Sequence, residues 1–331
     1  MANLRAGLIG LGMMGRHHAR VLGSLEGVDL VAAVDPGGDK HNAMGPNLVV
    51  PSIQQLLKRN LDYCVVAVPT AFHEESALEL AEAGVHTLVE KPLAHDAEAA
   101  QRIVDAFSSR GLVGGVGHIE RYNSAIQQAR SRISAGDLGD IYQVATRRQG
   151  PFPARIADVG VVKDLGTHDL DLTSWITQQS YKRVSAQTRH QSGRPHEDLV
   201  TITAQLDGGT LANHLVNWLS PLKERTTVIT GEKGTLVADT LTADLTYFAN
   251  GNIPTTWSEL SQFRGVSEGD ITRFSFLKPE PLRSEHEAFR DAVKGKSHRH
   301  VSMEEGVHVI RVTDAVLISA DGGETVRVDT A

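Results

Sequence analysis

The most constraining stretch of this 331-residue chain is Gly10-Leu11-Gly12-Met13-Met14-Gly15, set directly behind the apolar pair Leu8-Ile9. Glycines at this spacing let a strand turn sharply into a helix, let backbone approach a pyrophosphate and let helix pack closely on strand. The phosphates then face the positive end of that helix. The same spacing also serves plain turns, so its neighbours decide. A helix-compatible run follows over 16–25, and a second apolar run, 30–34, ends at Asp35, about twenty residues on. Together these features predict a dinucleotide cradle built from Gly10, Leu11, Gly12, Met13, Met14 and Gly15.

Asp35 narrows the cofactor. A carboxylate at the tip of the second strand accepts hydrogen bonds from the adenosine ribose hydroxyls and repels a 2′-phosphate. Pro36-Gly37-Gly38 follow, with no arginine among them to receive that phosphate. NAD is therefore expected over NADP. An Asp also opens Pro-Gly turns, and the two roles are compatible.

A chain of this length exceeds the usual single core, which predicts two domains, 1–120 and 121–331. A net charge of −7 with no long basic run argues against nucleic acid or an anionic membrane as the main partner. No stretch reaches the apolar length of a membrane span, and no signal-like core stands ahead of the first strand. The single cysteine, Cys64, lies in the apolar run 63–68 and reads as a small buried filler without an internal disulfide partner. These features predict a cytoplasmic protein.

The first third alternates apolar runs (4–9, 30–34, 63–68, 85–89, 112–116) with helix-period segments (15–25, 52–58, 74–83, 97–109). Continuous β-branched runs fit strands buried on both faces, hence an α/β, doubly wound parallel sheet that binds ligand at its carboxyl ends. Beyond about Arg121 a helix at 124–133 and strands at 141–148, 183–189, 199–206, 210–218, 226–230 and 235–238 predict an α+β domain with a large open, mainly antiparallel sheet. Two helices close the chain. The second starts on a capping box, Ser302 to Glu305, and is expected to pack on the first domain. Residues 252–281 read as irregular.

Two motifs carry chemistry. Glu90-Lys91-Pro92 follows a strand, which would put a lysine at the mouth of the sheet with a carboxylate beside it. Asp164-Leu165-Gly166-Thr167-His168 opens an apparent helix, and residues four apart share one helix face. A carboxylate beside an imidazole raises its proton affinity and fixes its orientation, as general acid–base work requires. The plainer roles are a strand-end lysine and a surface ion pair. No metal site is expected, because no His or Cys cluster has ligand spacing; His17-His18 and His298/His300 read as solvated or first-turn residues.

Taken together, GLGMMGRHHARVL (10–22), AVPTAFHEE (67–75), EKPLA (90–94), GHIERYN (117–123) and DLGTHDLDL (164–172) resemble the glucose–fructose oxidoreductase / inositol dehydrogenase / rhizopine catabolism (Gfo/Idh/MocA) superfamily over nearly the whole chain. The resemblance implies oxidation of a sugar or cyclitol hydroxyl to a ketone, or the reverse. Under it Lys91 matches the catalytic lysine, and Asp164 and His168 the acid/base pair. Val68, Pro69, Thr70 and His73, with Glu90 and Lys91, match the surroundings of the nicotinamide. His118, Arg121 and Asn123 fall on the substrate side. The family often carries proline after RYN, where this chain has Ser124.

Residues 148–164 resemble the subgroup acting on nucleotide-linked N-acetyl sugars, nearest to UDP-N-acetylglucosamine 3-dehydrogenases. Arg148 and Arg155, expected on a Pro-rich loop, could grip a diphosphate there. A myo-inositol 2-dehydrogenase, another free-sugar dehydrogenase and a non-catalytic dinucleotide sensor are the alternatives. The resemblance also implies a homodimer or homotetramer formed through the second sheet.

Overall fold

The computed structural model describes residues 2–45, 48–152, 159–251, 267–297 and 299–328. They divide into two compact units: Met1–Ile119 with Pro279–Arg311, and Glu120–Lys278 with Val312–Ala331.

The first unit is built on β1 (Leu4–Ile9), β2 (Val28–Val34), β3 (Val49–Val50), β4 (Tyr63–Val66), β5 (His86–Glu90) and β6 (Gly114–Gly117). Their order in the sheet is β3-β2-β1-β4-β5-β6, and every neighbouring pair is parallel. This is the dinucleotide-binding order, in which the sequence direction reverses between β1 and β4. Apart from the two-residue β3, which the pattern did not predict, strand and helix lie where periodicity put them, within a few residues at the ends. The helices are α1 (Gly15–Leu22), α2 (Ile53–Leu57), α3 (His73–Glu82) and α4 (Ala97–Ser108). Burial explains the strand composition: all of Tyr63, Cys64, Val65 and Val66 are fully enclosed, so no polar alternation is required. Cys64 is the buried filler expected of it. Leu8, Leu22, Val65 and Leu88 join Phe289, from α7 (Pro281–Val293), in one apolar cluster. Phe289 meets the Tyr63 ring edge-on at 5.7 Å.

In the second unit α5 (Ser124–Ser134), α6 (Thr167–Thr177) and a π-helical turn at Val162–Gly166 accompany a nine-stranded sheet. Its members are β7 (Ile141–Pro151), β8 (Tyr181–Arg189), β9 (Leu199–Leu206), β10 (Leu211–Asn217), β11 (Leu219–Gly231), β12 (Gly234–Asp239), β13 (Asp244–Gly251), β14 (Ser267–Arg273) and β15 (Val326–Arg327). The order is β14-β13-β12-β11-β7-β10-β9-β8-β15, antiparallel throughout except where β7 runs parallel to β10. Alternating burial along β9 shows one face packed and one open. On β9 that face packs with Leu170 of α6, and on β7 and β11–β13 the sheet meets α5 and α6 through Ile126, Ala129, Leu172 and Ile176.

Helix α8 (Met303–Gly322) begins on the expected capping box: Glu305 N donates to Ser302 Oγ at 3.3 Å, and Ser302 N donates to Glu305 Oε2 at 2.8 Å. Its residues up to Arg311 cluster with the first unit, and those from Val312 on with the second. No described helix is long and apolar enough to cross a membrane.

Candidate active site

The loop joining β1 to α1 shows why glycine is needed twice and tolerated once. Gly10 has φ +96°, and a Cβ there would lie 2.5 Å from the Ala67 carbonyl oxygen. At Gly15 a Cβ would lie 2.0 Å from the Gly10 oxygen, so only glycine lets α1 pack this closely on the turn. A Cβ on Gly12, by contrast, would meet nothing within 4 Å. That open flank is where a pyrophosphate can approach backbone, and no side chain caps the start of α1 at Met14. The residues therefore fit a dinucleotide. A Gly12→Val variant is expected to keep its melting temperature while weakening NAD at least tenfold, whereas Gly15→Ala should lose stability first; thermal melts with NAD titration separate the two.

Asp35 laces the cradle together. Its Oδ2 accepts from Leu11 N and its Oδ1 from Gly37 N, both at 2.7 Å. The Leu11 side chain points into the core, so this residue can offer a ligand only backbone, whereas Met13 is exposed.

On the next two strand ends, His73 is buried, with Nδ1 2.8 Å from the Pro92 oxygen and Nε2 2.9 Å from the Val68 oxygen. Burial pulls its proton affinity down, so the neutral ring donates to one carbonyl at a time. His73 thus ties the turn holding Pro69 and Thr70 to the Glu90-Lys91-Pro92 segment. Glu90 is buried and accepts from Lys91 N at 3.0 Å; Lys91 is partly exposed, and the Lys91-Pro92 bond is cis. His118 is buried at the end of β6.

The second cluster lies wholly within the second unit. Asp164 sits on the π-helical turn and His168 in the first turn of α6, both largely buried. The extra residue per turn changes the simple four-residue spacing read from the sequence. Val162 N donates to Glu197 Oε1 at 3.0 Å and Val161 N to the Glu197 backbone carbonyl, so one buried residue fixes the start of this turn through side chain and backbone.

Two arginines grip α6. Arg148 Nε donates to Asp169 at 2.8 Å and its Nη1 to Glu120 at 2.9 Å. Arg121 forks onto Asp171, with Nη2 at 2.6 Å from Oδ1 and Nε at 2.9 Å from Oδ2. Asp169 and Asp171 are roughly 200° apart around the helix, so it is held from two sides immediately beyond His168. Burial and the Glu120 charge raise Asp169 despite Arg148, while the Arg148 charge and hydrogen bond lower Glu120 against its own burial.

These contacts correct three expectations. Arg148 is not on a loop: it lies in β7, only 2% exposed, with its guanidinium engaged by two carboxylates. Arg121 is likewise buried against Asp171 rather than presented to a ligand. Asn123 caps α5 through Ala125 N and donates to the Thr240 oxygen, a structural post. Arg155 and His298 lie outside the described residues. His18, expected to be a solvated or first-turn residue, lies in the first turn of α1 and is fully buried. The helical stripe Gly15, His18, Leu22 carried that signal, since those positions share a face. Among the described residues no group of three potential ligands could hold a metal ion.

Comparison with known proteins agrees with this architecture. Residues 4–118 match the model of an oxidoreductase family with an NAD-binding Rossmann fold, and residues 126–237 match the Gfo/Idh/MocA C-terminal domain. UDP-N-acetylglucosamine 3-dehydrogenase of Acidithiobacillus ferrooxidans is 33% identical over 216 residues, 64% of this chain and 66% of that protein. Inositol 2-dehydrogenase 2 of Saccharopolyspora erythraea is 30% identical over 222 residues, 63% and 65% of the two chains. The aligned part thus spans slightly less than two thirds of these curated relatives. A solved structure of the Acidithiobacillus enzyme superposes with a TM-score of 0.84 at 27% identity, covering 97% of this chain and 99% of that one. With both domain models matched in order and the glycine cradle in place, the chain belongs to the Gfo/Idh/MocA family of NAD-binding oxidoreductases.

Proposed function

We propose that the protein is an NAD-dependent dehydrogenase that oxidises a secondary hydroxyl of a nucleotide-linked N-acetyl sugar, of the UDP-N-acetylglucosamine type, at C3. The observation that carries the dehydrogenase reading is the cradle Gly10–Gly15 with Asp35 at the end of β2, built for a dinucleotide without a 2′-phosphate. The substrate class rests on the likeness to the 33%-identical UDP-N-acetylglucosamine 3-dehydrogenase.

Bound NAD supplies the acceptor for the hydride that leaves the carbinol carbon. The chain's own residues handle the proton and the charge. The His168 imidazole takes the hydroxyl proton as the C–O bond gains double-bond character, and Asp164 orients that ring and favours its charged form. The Lys91 ammonium stabilises negative charge developing on the oxygen. Arg148 and Arg121 contribute by fixing α6 rather than by touching the sugar.

A second reading, a cyclitol dehydrogenase, is favoured by the 30% identity to an inositol 2-dehydrogenase. Absorbance at the reduced-nicotinamide band, scanned over UDP-N-acetylglucosamine, free N-acetylglucosamine and myo- and scyllo-inositol, decides between them. A parallel assay with an added keto acceptor reveals a tightly held, recycling cofactor. Turnover on the UDP-sugar at least tenfold above the cyclitols supports the proposal; preference for an inositol replaces it with the second reading. Silence on the whole panel in both assays removes both.

A further inference from the structure

The first unit holds a set of buried ionisable side chains for which dinucleotide binding has no use. His18 is fully enclosed, with Nε2 2.8 Å from Glu90 Oε1 and Nδ1 2.9 Å from His286 Nε2. The two imidazoles meet edge to face, 5.1 Å between centroids. The other Glu90 oxygen accepts from Lys91 N. One bonded line therefore runs from α7 through α1 to the backbone of Lys91. Beside His286 stands Glu285, 1% exposed, neither of whose carboxyl oxygens has a hydrogen-bond partner among the described residues.

The proton order follows from donor chemistry. A carboxylate only accepts, so His18 Nε2 carries hydrogen toward Glu90. Between His18 Nδ1 and His286 Nε2, 2.9 Å apart, one nitrogen donates and the other accepts. Burial, with the charges of His18 and Arg283, holds His286 far below the usual imidazole range. Burial, with the charge of Glu90, holds Glu285 far above the usual carboxyl range. Burial would raise Glu90 as well, but the His18 hydrogen bond and the Lys91 charge bring it below the usual range. The cluster thus sets the Glu90 carboxylate beside Lys91.

We propose that His18 and His286 are positioning residues that act on Lys91 through Glu90. Losing the His18 donor strands a buried carboxylate, which takes up a proton, and Lys91 loses the anion beside it. The groups facing Glu90 are His18 on α1, His73 on α3, Glu285 on α7 and Lys91 next in the chain, and Arg283 acts on His286. None of the others supplies the donor that His18 would take away. The functional consequence rests on the role proposed for Lys91, but its protonation can be read without activity.

The test labels Lys91 in the full-length, NAD-loaded protein with an amine-reactive reagent across a pH series, quantified by peptide mass spectrometry. In His18→Leu the labelling midpoint is expected to move down by about one pH unit. His18→Gln, whose amide reaches as far as Nε2 and still donates, should stay near wild type. Turnover in His18→Leu should fall about tenfold or more through misplacement of Lys91, with the KM for NAD changed little and the Gln variant largely restored. A purely structural role would lower the melting temperature and leave the midpoint where it was. Should His18→Leu fail to fold, His18→Phe keeps a ring in the site without a donor and carries the same test. Coincident labelling curves in the folded variant overturn the proposal. A shifted midpoint together with a fully active Lys91→Ala retires the acting role of Lys91 and keeps the cluster.

Discussion

His168→Ala is expected to lower turnover by about 10²–10⁴-fold while leaving NAD affinity nearly unchanged. Lys91→Ala should cost a comparable factor, about 10²–10³-fold, through lost stabilisation of the developing alkoxide. NAD affinity survives because the cradle consists of Gly10, Gly12, Gly15 and Asp35, none of which contacts either side chain in the hydrogen bonds described above. Steady-state kinetics and isothermal titration with NAD check the two halves separately. The acid limb of the kcat/KM profile should disappear in His168→Ala, because that limb reports protonation of the imidazole. If the two residues serve one proton transfer, the double variant loses far less than the product of the single losses. Near-wild-type rates in either single variant reject the corresponding role.

Arg148→Leu should be the most destabilising single change in the second unit. The guanidinium is enclosed and bonds Asp169 and Glu120 at once, so its removal strands two carboxylates in low dielectric. Breaking such a buried arrangement costs about 3–5 kcal/mol, which for a chain of this size lowers the melting temperature by on the order of 10 °C. Replacing all three residues with apolar or neutral partners should cost less than the single change. The pH dependence has a definite sign. Glu120 titrates below its ordinary 4.5 in the folded protein, so its share of stability is present at neutral pH and is lost as pH falls through its depressed value. Asp169 titrates above its ordinary 3.8, so it opposes folding wherever it is ionised. In Arg148→Leu both carboxyls take up protons more readily. The deficit against wild type, measured by urea unfolding, should therefore narrow between pH 7 and pH 5. A loss of substrate affinity with unchanged stability would instead restore the ligand-gripping role that the sequence suggested for Arg148.

That misreading shows where the sequence stops informing. The parallel sheet was legible because strands buried on both faces must be apolar at every position, and Tyr63-Cys64-Val65-Val66 obeys this. The cradle was legible because its steric demands admit only glycine at Gly10 and Gly15. Arg148 was taken for a loop residue because Pro151 and Pro153 make the segment after it Pro-rich; Pro151 in fact ends β7, where a strand tolerates proline. A buried arginine has the same composition signature as an exposed one until its carboxylate partners, distant in the chain, are known. The π-helical turn at Val162–Gly166 changes the period by a single residue too briefly for a pattern to register. Strands β13 and β14 escaped notice for a different reason. Along β13 most side chains are half-buried, so no clean alternation exists to be read. His18 was legible in principle, since it shares the inner stripe of α1 with Gly15 and Leu22, but an adjacent histidine pair reads more readily as solvated.

The most direct test of the central claim follows a labelled atom. UDP-N-acetylglucosamine carrying deuterium at C3 is incubated with the protein and NAD, and the nicotinamide is examined by proton NMR. The expected result is deuterium at C4 of the reduced ring together with a 3-keto sugar. Protium alone at that carbon, or a sugar returned unoxidised from a complex that binds both ligands, contradicts the assignment.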